Sequence, residues 1–163
     1  MSSKALTTPR GLAVNEEKIQ QFCSFWLAGR LYGVNILDVR EVNRELDFTS
    51  IFHADSWMKG YLNIRGQIHL VVDLRIVLGY PPQATNSESR VVIFKNTVGE
   101  SFGALVDKVG EIVAVSPEQV EARISNEENR GLDERNRGLI AGECKLDGRL
   151  MVLLNPSKFL TAT

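Results

Sequence analysis

Residues 65–78 read RGQIHLVVDLRIVL, and residues 147–160 read DGRLMVLLNPSKFL. Laid over each other without gaps, they put Gly66 on Gly148 and Ile68 on Leu150. The valine pair 71–72 falls on the leucine pair 153–154, Asp73 on Asn155, and Leu78 on Leu160. A second pair, YGVNILDVREV (32–42) and FGALVDKVGEI (102–112), matches in the same way. Tyr32 falls on Phe102, Gly33 on Gly103, Val39 on Val109, Glu41 on Glu111 and Val42 on Ile112. Two matches in the same order, at similar offsets, predict two lobes of like topology.

The repeat also assigns a role to Asp73. Asn155 stands directly before Pro156, the arrangement of an N-cap followed by a proline in the first helical position. Asp73 occupies the same place, so it is expected to cap a helix that leaves a strand, a contribution of about 1 kcal/mol. Asn63, Arg65, His69, Asp73 and Arg75 crowd around this stretch and resemble an active site. On a straight strand, however, His69 and Asp73 lie about 13 Å apart, too far for a dyad. His53 is the other histidine, and no H-x-H or H-x-x-x-H spacing joins the two. A nucleophile elbow, a P-loop and a Rossmann glycine pattern are all absent. The expectation is no enzyme, no metal and no cofactor.

Outward from the repeat, the chain is rich in short strands. QFCSFWLA (21–28) alternates, with both faces largely apolar, as in a strand buried on two sides. AGR turns it into LYGVNI as a hairpin. In NILDVREVN (35–43), Asn35 is placed to cap a helical turn, with Asp38 in a capping-box-like position. Ile36, Val39 and Val42 would then form one apolar stripe. Asp55 is placed to cap a second turn, SWMKG. YLNI and QIHLVV read as strands divided by Arg65 and Gly66, and DLRIVLGY as a short helix stopped by Gly79. RVVIFK, SFGALVD and GEIVAV are further strands, and GLIAGECKL and RLMVLLN form a hairpin through Asp147 and Gly148. A last helix is expected after Asn155. The whole predicts small β-barrels with helical turns at the corners.

Residues 1–18 are polar and without period, and are expected to be a tail ahead of one domain at 19–163. Residues 80–89, YPPQATNSES, read as the linker between lobes, and residues 125–137 as a charged loop. Of 163 residues, 44% are hydrophobic and 24% charged, the balance of a soluble globular protein. A net charge of −1 leaves no basic excess for nucleic acid. No apolar run approaches the roughly 20 residues of a membrane span, and no secretory signal leads the chain, so a cytoplasmic protein is expected. Cys23 and Cys144 are too few for a disulfide framework or a four-cysteine zinc site.

QFCSFWLAGRLYGVNILDVREV, GYLNIRGQIHLVVDLRIVLGY, FGALVDKVGEIV and LDGRLMVLLNPSKFL together carry a resemblance. In their order and spacing, and above all in the N-I-R-G…D-L-R segment, the chain resembles the CheW-like coupling proteins of bacterial chemosensory systems. The resemblance spans roughly residues 20–160. It implies a mainly β fold of two intertwined five-stranded SH3-like β-barrel lobes with short helices around a shared core. It implies a non-catalytic adaptor that bridges chemoreceptor cytoplasmic tips to the regulatory domain of the histidine kinase CheA. Such a protein stays at membrane receptor arrays through its partners and does not insert in the membrane itself.

Carried over by position, Val39 and Val42 would face the kinase. Glu41 and Arg65 would lie close enough to pair and shape the receptor-facing surface, with Gly60 at a tight corner there. Ile112, with Val109 nearby, would line a receptor groove between the lobes. Val39→Lys is then expected to weaken kinase binding and leave the fold intact. The alternative is a two-barrel protein- or peptide-binding module of a related pathway, such as surface motility. The chain departs from the family pattern at Leu70, where a proline is frequent, and at His69, where an apolar or small residue is usual.

Overall fold

The computed structural model of the protein describes residues 18–122 and 138–160. The expected tail, up to residue 17, and the charged stretch 125–137 lie outside the described residues. β1 (Gln20–Leu27) and β2 (Arg30–Asn35) form the first hairpin, closed by Ala28 and Gly29 at positive φ. Asn35 then accepts the Leu37 N–H at 2.9 Å and caps a single turn, Ile36–Asp38. The helical reading stops there, because Val39–Asn43 is a strand, β3. β4 (Met58–Ile64) and β5 (Gln67–Asp73) turn at Arg65 and Gly66, both at positive φ, and lead into α1 (Leu74–Val77). The second turn expected at SWMKG is a single turn at Ser56 and Trp57, closed by the Met58 N–H on the Asp55 carbonyl at 3.0 Å before β4 begins at Met58, and the Asp55 carboxylate accepts the Trp57 indole N–H.

β6 (Arg90–Phe94), β7 (Phe102–Val106) and β8 (Lys108–Val115) follow, then the short β9 (Val120–Ala122). β10 (Ile140–Leu146) and β11 (Arg149–Leu154) form the closing hairpin. Asp73 and Asn155 both accept the amide two residues on, at 3.2 Å each, as N-caps do. The expected last helix is a single 3-10 turn, Pro156–Lys158, with Asn155 as its N-cap and Pro156 in its first turn.

Two sheets result, ordered β3-β6-β7-β5-β4 and β8-β1-β2-β11-β10-β9. The five-stranded sheet has the expected strand count, and β9 adds a sixth strand to the other. The repeat is preserved in the register. Val152 pairs with Tyr32 and Leu153 with Gly33 where β11 runs parallel to β2. Leu70 pairs with Phe102 and Val71 with Gly103 where β5 runs parallel to β7. These are the same positions one repeat apart. Even the bulges recur: one extra residue lies in β3 and β8 near Arg40 and Gly110, and one in β4 and β10 near Lys59 and Ala141. Gly33 and Gly103 sit at the parallel crossings, where a Cβ would come within 2.8 Å of Met151 Sδ or of Ile93 Cδ1.

Each sheet mixes the two halves of the chain. β1 and β2 join β8, β10 and β11, while β6 and β7 join β3, β4 and β5. The lobes are therefore intertwined, as the resemblance implied. Between them lies one shared core containing Cys23, Phe25, Leu27, Val72, Val92, Phe94, Phe102 and Phe159. The Phe94 ring lies 5.0 Å from Phe102 and 5.7 Å from Phe159, contacts that add to the burial of each ring. Each sheet also curls over a smaller cluster of its own. β1 serves both kinds of core, with Phe22 and Trp26 on one face and Cys23, Phe25 and Leu27 on the other.

A polar clasp ties the lobes outside this core. Arg75, on α1, donates to Asp107 Oδ2 at 2.5 Å and to the Pro81 carbonyl at 3.1 Å. The same Asp107 oxygen accepts the Ala28 N–H of the β1–β2 turn at 2.9 Å. The Tyr32 and Tyr80 hydroxyls meet at 2.5 Å beside it, and burial together with Tyr80 pushes the Tyr32 phenol well up. Arg75→Ala is expected to lower the unfolding free energy by about 2 kcal/mol in urea titration, because it strands a part-buried carboxylate. Lys108→Ala, which removes only an exposed ion pair with Glu88, is expected to cost less than about 0.5 kcal/mol.

Candidate functional site

β3 is an edge strand, paired only with β6. Val39 stands opposite Phe94, Glu41 opposite Ile93 and Val42 opposite Val92. The extra residue, Arg40, lets Val39 and Val42 point to the same face although they are three apart. Phe94 and Val92 belong to the shared core, so that face is the one the two sheets turn toward each other. Val39 packs against this core. Val42 runs past its edge and is 41% exposed. A lysine at 39 therefore disturbs core packing, contrary to the expectation that Val39→Lys spares the fold. Val42 is the valine a partner can reach.

The structure brings Glu41 and Arg65 together, the guanidinium donating to the carboxylate. Arg65 sits at the first position of the β4–β5 turn, which aims its side chain back across the barrel mouth to β3. Arg40 reaches Gln67 beside it, at 3.4 Å. These contacts link the free edge β3 to the β4–β5 hairpin. The Arg65 side chain is 70% exposed and that of Glu41 26%, so the pair contributes under about 1 kcal/mol and acts through geometry and charge rather than stability.

Gly60 lies at the bulge in β4 with φ +146°, and a Cβ there would come within 2.6 Å of the Thr49 carbonyl oxygen. Thr49 and Tyr61 exchange backbone hydrogen bonds, both 2.8 Å, which fastens the segment between β3 and β4 along the outer edge of β4. Glycine at this corner is what permits that approach.

Val109 and Ile112 are the counterparts of Val39 and Val42 on β8, the edge of the other sheet. Val109 stands opposite Phe25 and packs on the shared core; Ile112 stands opposite Cys23 and is 59% exposed. The sequence-predicted residues thus divide between two edges: Val39, Glu41, Val42, Gly60 and Arg65 on one lobe, Val109 and Ile112 on the other. Beside Ile112, on the same face of β8, Ala114 lines a groove of about 350 Å³ with Ile19, Asn35, Ile36 and Leu37. Leu37, 71% exposed, was not singled out in the sequence; the only signal is that Ile36, its neighbour, turns to the core.

The residues that suggested chemistry are placed quietly. Asp73 caps α1 at the wall of a cleft of about 470 Å³, and burial raises its pKa against the lowering effect of the Arg75 amide. His69 is buried on β5, four residues away on the same strand. Cys23 and Cys144 are buried free thiols whose pKa values burial raises. Among the described residues no helix is long and apolar enough to cross a membrane.

A family model for the CheW-like domain matches residues 21–163. The chain is 32% identical over 101 residues to the chemotaxis protein CheW of Klebsiella aerogenes, covering 62% of this chain and 60% of that protein. It is 27% identical over 146 residues to the probable chemotaxis protein CheW of Rhizobium etli, covering 88% of this chain and 89% of that protein. Among solved structures, the scaffolding protein TtCheW from Thermoanaerobacter tengcongensis is similar with a TM-score of 0.71 at 26% identity. That likeness covers 83% of this chain and 88% of TtCheW.

Gly60→Ala is expected to cost about 2 kcal/mol, since it adds both strain at positive φ and a clash with Thr49; chemical denaturation reads the loss. A second expectation concerns acid. Burial holds the His69 imidazole below its usual pKa. The unfolded chain takes up a proton there below about pH 6.5 while the folded chain does not, so stability falls as pH drops from that point toward the folded pKa. His69→Met is expected to remove this part of the acid dependence in denaturation midpoints measured between about pH 7.5 and pH 5.

Proposed function

The chain belongs to the CheW-like domain family, and from that premise we propose that it is a non-catalytic adaptor coupling chemoreceptor cytoplasmic tips to the histidine kinase CheA. The observation that carries the reading is the pair of equivalent edge strands, β3 and β8, each carrying an exposed apolar residue, Val42 or Ile112, on a lobe of its own. An adaptor needs two separate docking faces held in a fixed relation. Two intertwined lobes with one core supply that relation, and nothing in it requires a reacting group.

Val39 and Val42 face the kinase regulatory domain, with Val42 making the contact and Val39 supporting it from the core. Glu41, Gly60 and Arg65 shape the receptor-facing rim, and Val109 and Ile112 line the receptor groove. Ile112 lies two residues from Ala114 on the same face of β8, beside the groove that Ala114 and Leu37 line, and a receptor helix would lay its apolar face there, a helix-in-groove mode. The protein works in the cytoplasm and reaches membrane receptor arrays through these partners. Most of its curated relatives carry chemotaxis names and one weaker match is named PilI, which supports this pathway over a surface-motility one.

Co-sedimentation with the CheA regulatory domain and with a receptor cytoplasmic fragment tests the reading. Val42→Lys is expected to weaken kinase binding about tenfold or more with an unchanged unfolding midpoint, and Ile112→Lys to do the same for the receptor fragment. Wild-type protein that brings down neither partner would sink the adaptor reading. Selective loss of the wrong partner in either variant would reassign the face.

A further inference from the structure

Inside the mouth of the five-stranded barrel lies a polar side chain that the docking surface has not used. His69 is 2% exposed, and its Nδ1 has no hydrogen-bond partner. In the repeat register, the other lobe holds Met151 in the equivalent place: His69 pairs with Leu62 as Met151 pairs with Cys144. A thioether needs no partner there, whereas an imidazole leaves a polar nitrogen desolvated.

The surroundings explain what could answer it. Glu41 stands opposite Ile93, which packs with Val71 inside this barrel. His69 shares its strand face with Val71, two residues on. Glu41 and His69 therefore project to the same interior. Arg40 and Glu41 from β3 and Arg65 from the β4–β5 turn are the charged groups whose fields reach the imidazole. Leu62 faces it from β4, Ser101, whose carbonyl accepts the Leu70 N–H, lies beside it just before β7, and Leu46 and Phe48 from the segment before β4 pack in the same barrel. Glu41 is the one carboxylate in this set, and Arg65 already holds it.

We propose that His69 is a positioning residue for the docking rim: on taking up a proton it competes with Arg65 for the Glu41 carboxylate, drawing Glu41 inward and releasing the guanidinium to solvent. The proton comes from the medium and leaves N–H donors on both ring nitrogens. The freed guanidinium then offers its fork of donors to a carboxylate on the partner. The role in binding rests on the adaptor reading; the competition for Glu41 does not.

Two measurements separate them. NMR titration of the imidazole signals, with His69 assigned by its loss in His69→Met, gives its midpoint in the wild type, Glu41→Gln and Arg65→Gln. Glu41→Gln is expected to lower the midpoint by about half a unit and Arg65→Gln to raise it by a similar amount. Equal midpoints in all three proteins overturn the competition. Binding of the receptor fragment, compared at pH values above and below the His69 midpoint that the titration gives, is expected to tighten several-fold with acid in the wild type and to stay flat in His69→Met and His69→Gln. The same pH response in wild type and both variants overturns the positioning role. A wild type that binds no receptor fragment at either pH refutes the adaptor reading, while the titration still decides whether His69 and Arg65 share Glu41.

Discussion

Everything in this fold depends on an exchange of strands that neither half of the chain can avoid. The first repeat supplies β1 and β2 to one sheet and β3, β4 and β5 to the other; the second repeat does the reverse. The halves pair with each other in both sheets, antiparallel where β1 meets β8 and β3 meets β6, and parallel at two seams, β2 with β11 and β5 with β7. Parallel neighbours cannot be linked by a tight turn, so each seam must be closed by a distant part of the chain. The glycines at both seams, 33 and 103, give the side chains of the neighbouring strands room to cross them. Separating the two halves of the chain would break both sheets and open the aromatic core between them. The relation of one lobe to the other is thus fixed by covalent topology as well as by packing.

That fixity is what makes the edge strands useful. β3 and β8 are each paired on one side only, and each carries a bulge that keeps two apolar residues on the core-facing side. The inner residue of each pair, Val39 or Val109, anchors the edge to the core. The outer one, Val42 or Ile112, projects beyond it. The clasp of Arg75, Asp107 and Ala28 holds the first turn of one sheet against the helix of the other and damps any hinge between the edges.

Much of this was legible in the sequence because the repeat is written in local chemistry. The N-cap role of Asp73 followed from its match to Asn155 before Pro156, and both side chains cap as expected. The hairpins at Ala28, Arg65 and Asp147 followed from their glycines. β3 was misread as helical for a definite reason. A strand bulge adds one residue and turns an i, i+2 spacing into i, i+3, the spacing of a helical stripe, and the Asn35 cap lent support to the wrong choice. The Arg75–Asp107 clasp joins residues 32 apart with no local pattern to announce it. The burial of Val39 depends on the exchanged strand β6 lying beside it, which no window around residue 39 contains. The pairing of Glu41 with Arg65 came only through the family resemblance, since nothing in composition or period brings β3 to the β4–β5 turn.

The backbone symmetry of the lobes is not matched by their chemistry. Glu41 corresponds to Glu111, but Arg65 corresponds to Asp147 and His69 to Met151. One barrel mouth therefore carries a guanidinium, a carboxylate and a buried imidazole, where the other has two carboxylates at the corresponding positions and an apolar side chain beneath. In the proposed adaptor, like edges with like apolar residues would provide two docking faces of one shape. Unlike rims prevent the two from accepting the same partner equally, since a charge that pairs with Arg65 is repelled by Asp147. A symmetric molecule would bridge two copies of one protein. Broken in charge while kept in backbone, the same architecture suits the proposed bridging of two different ones.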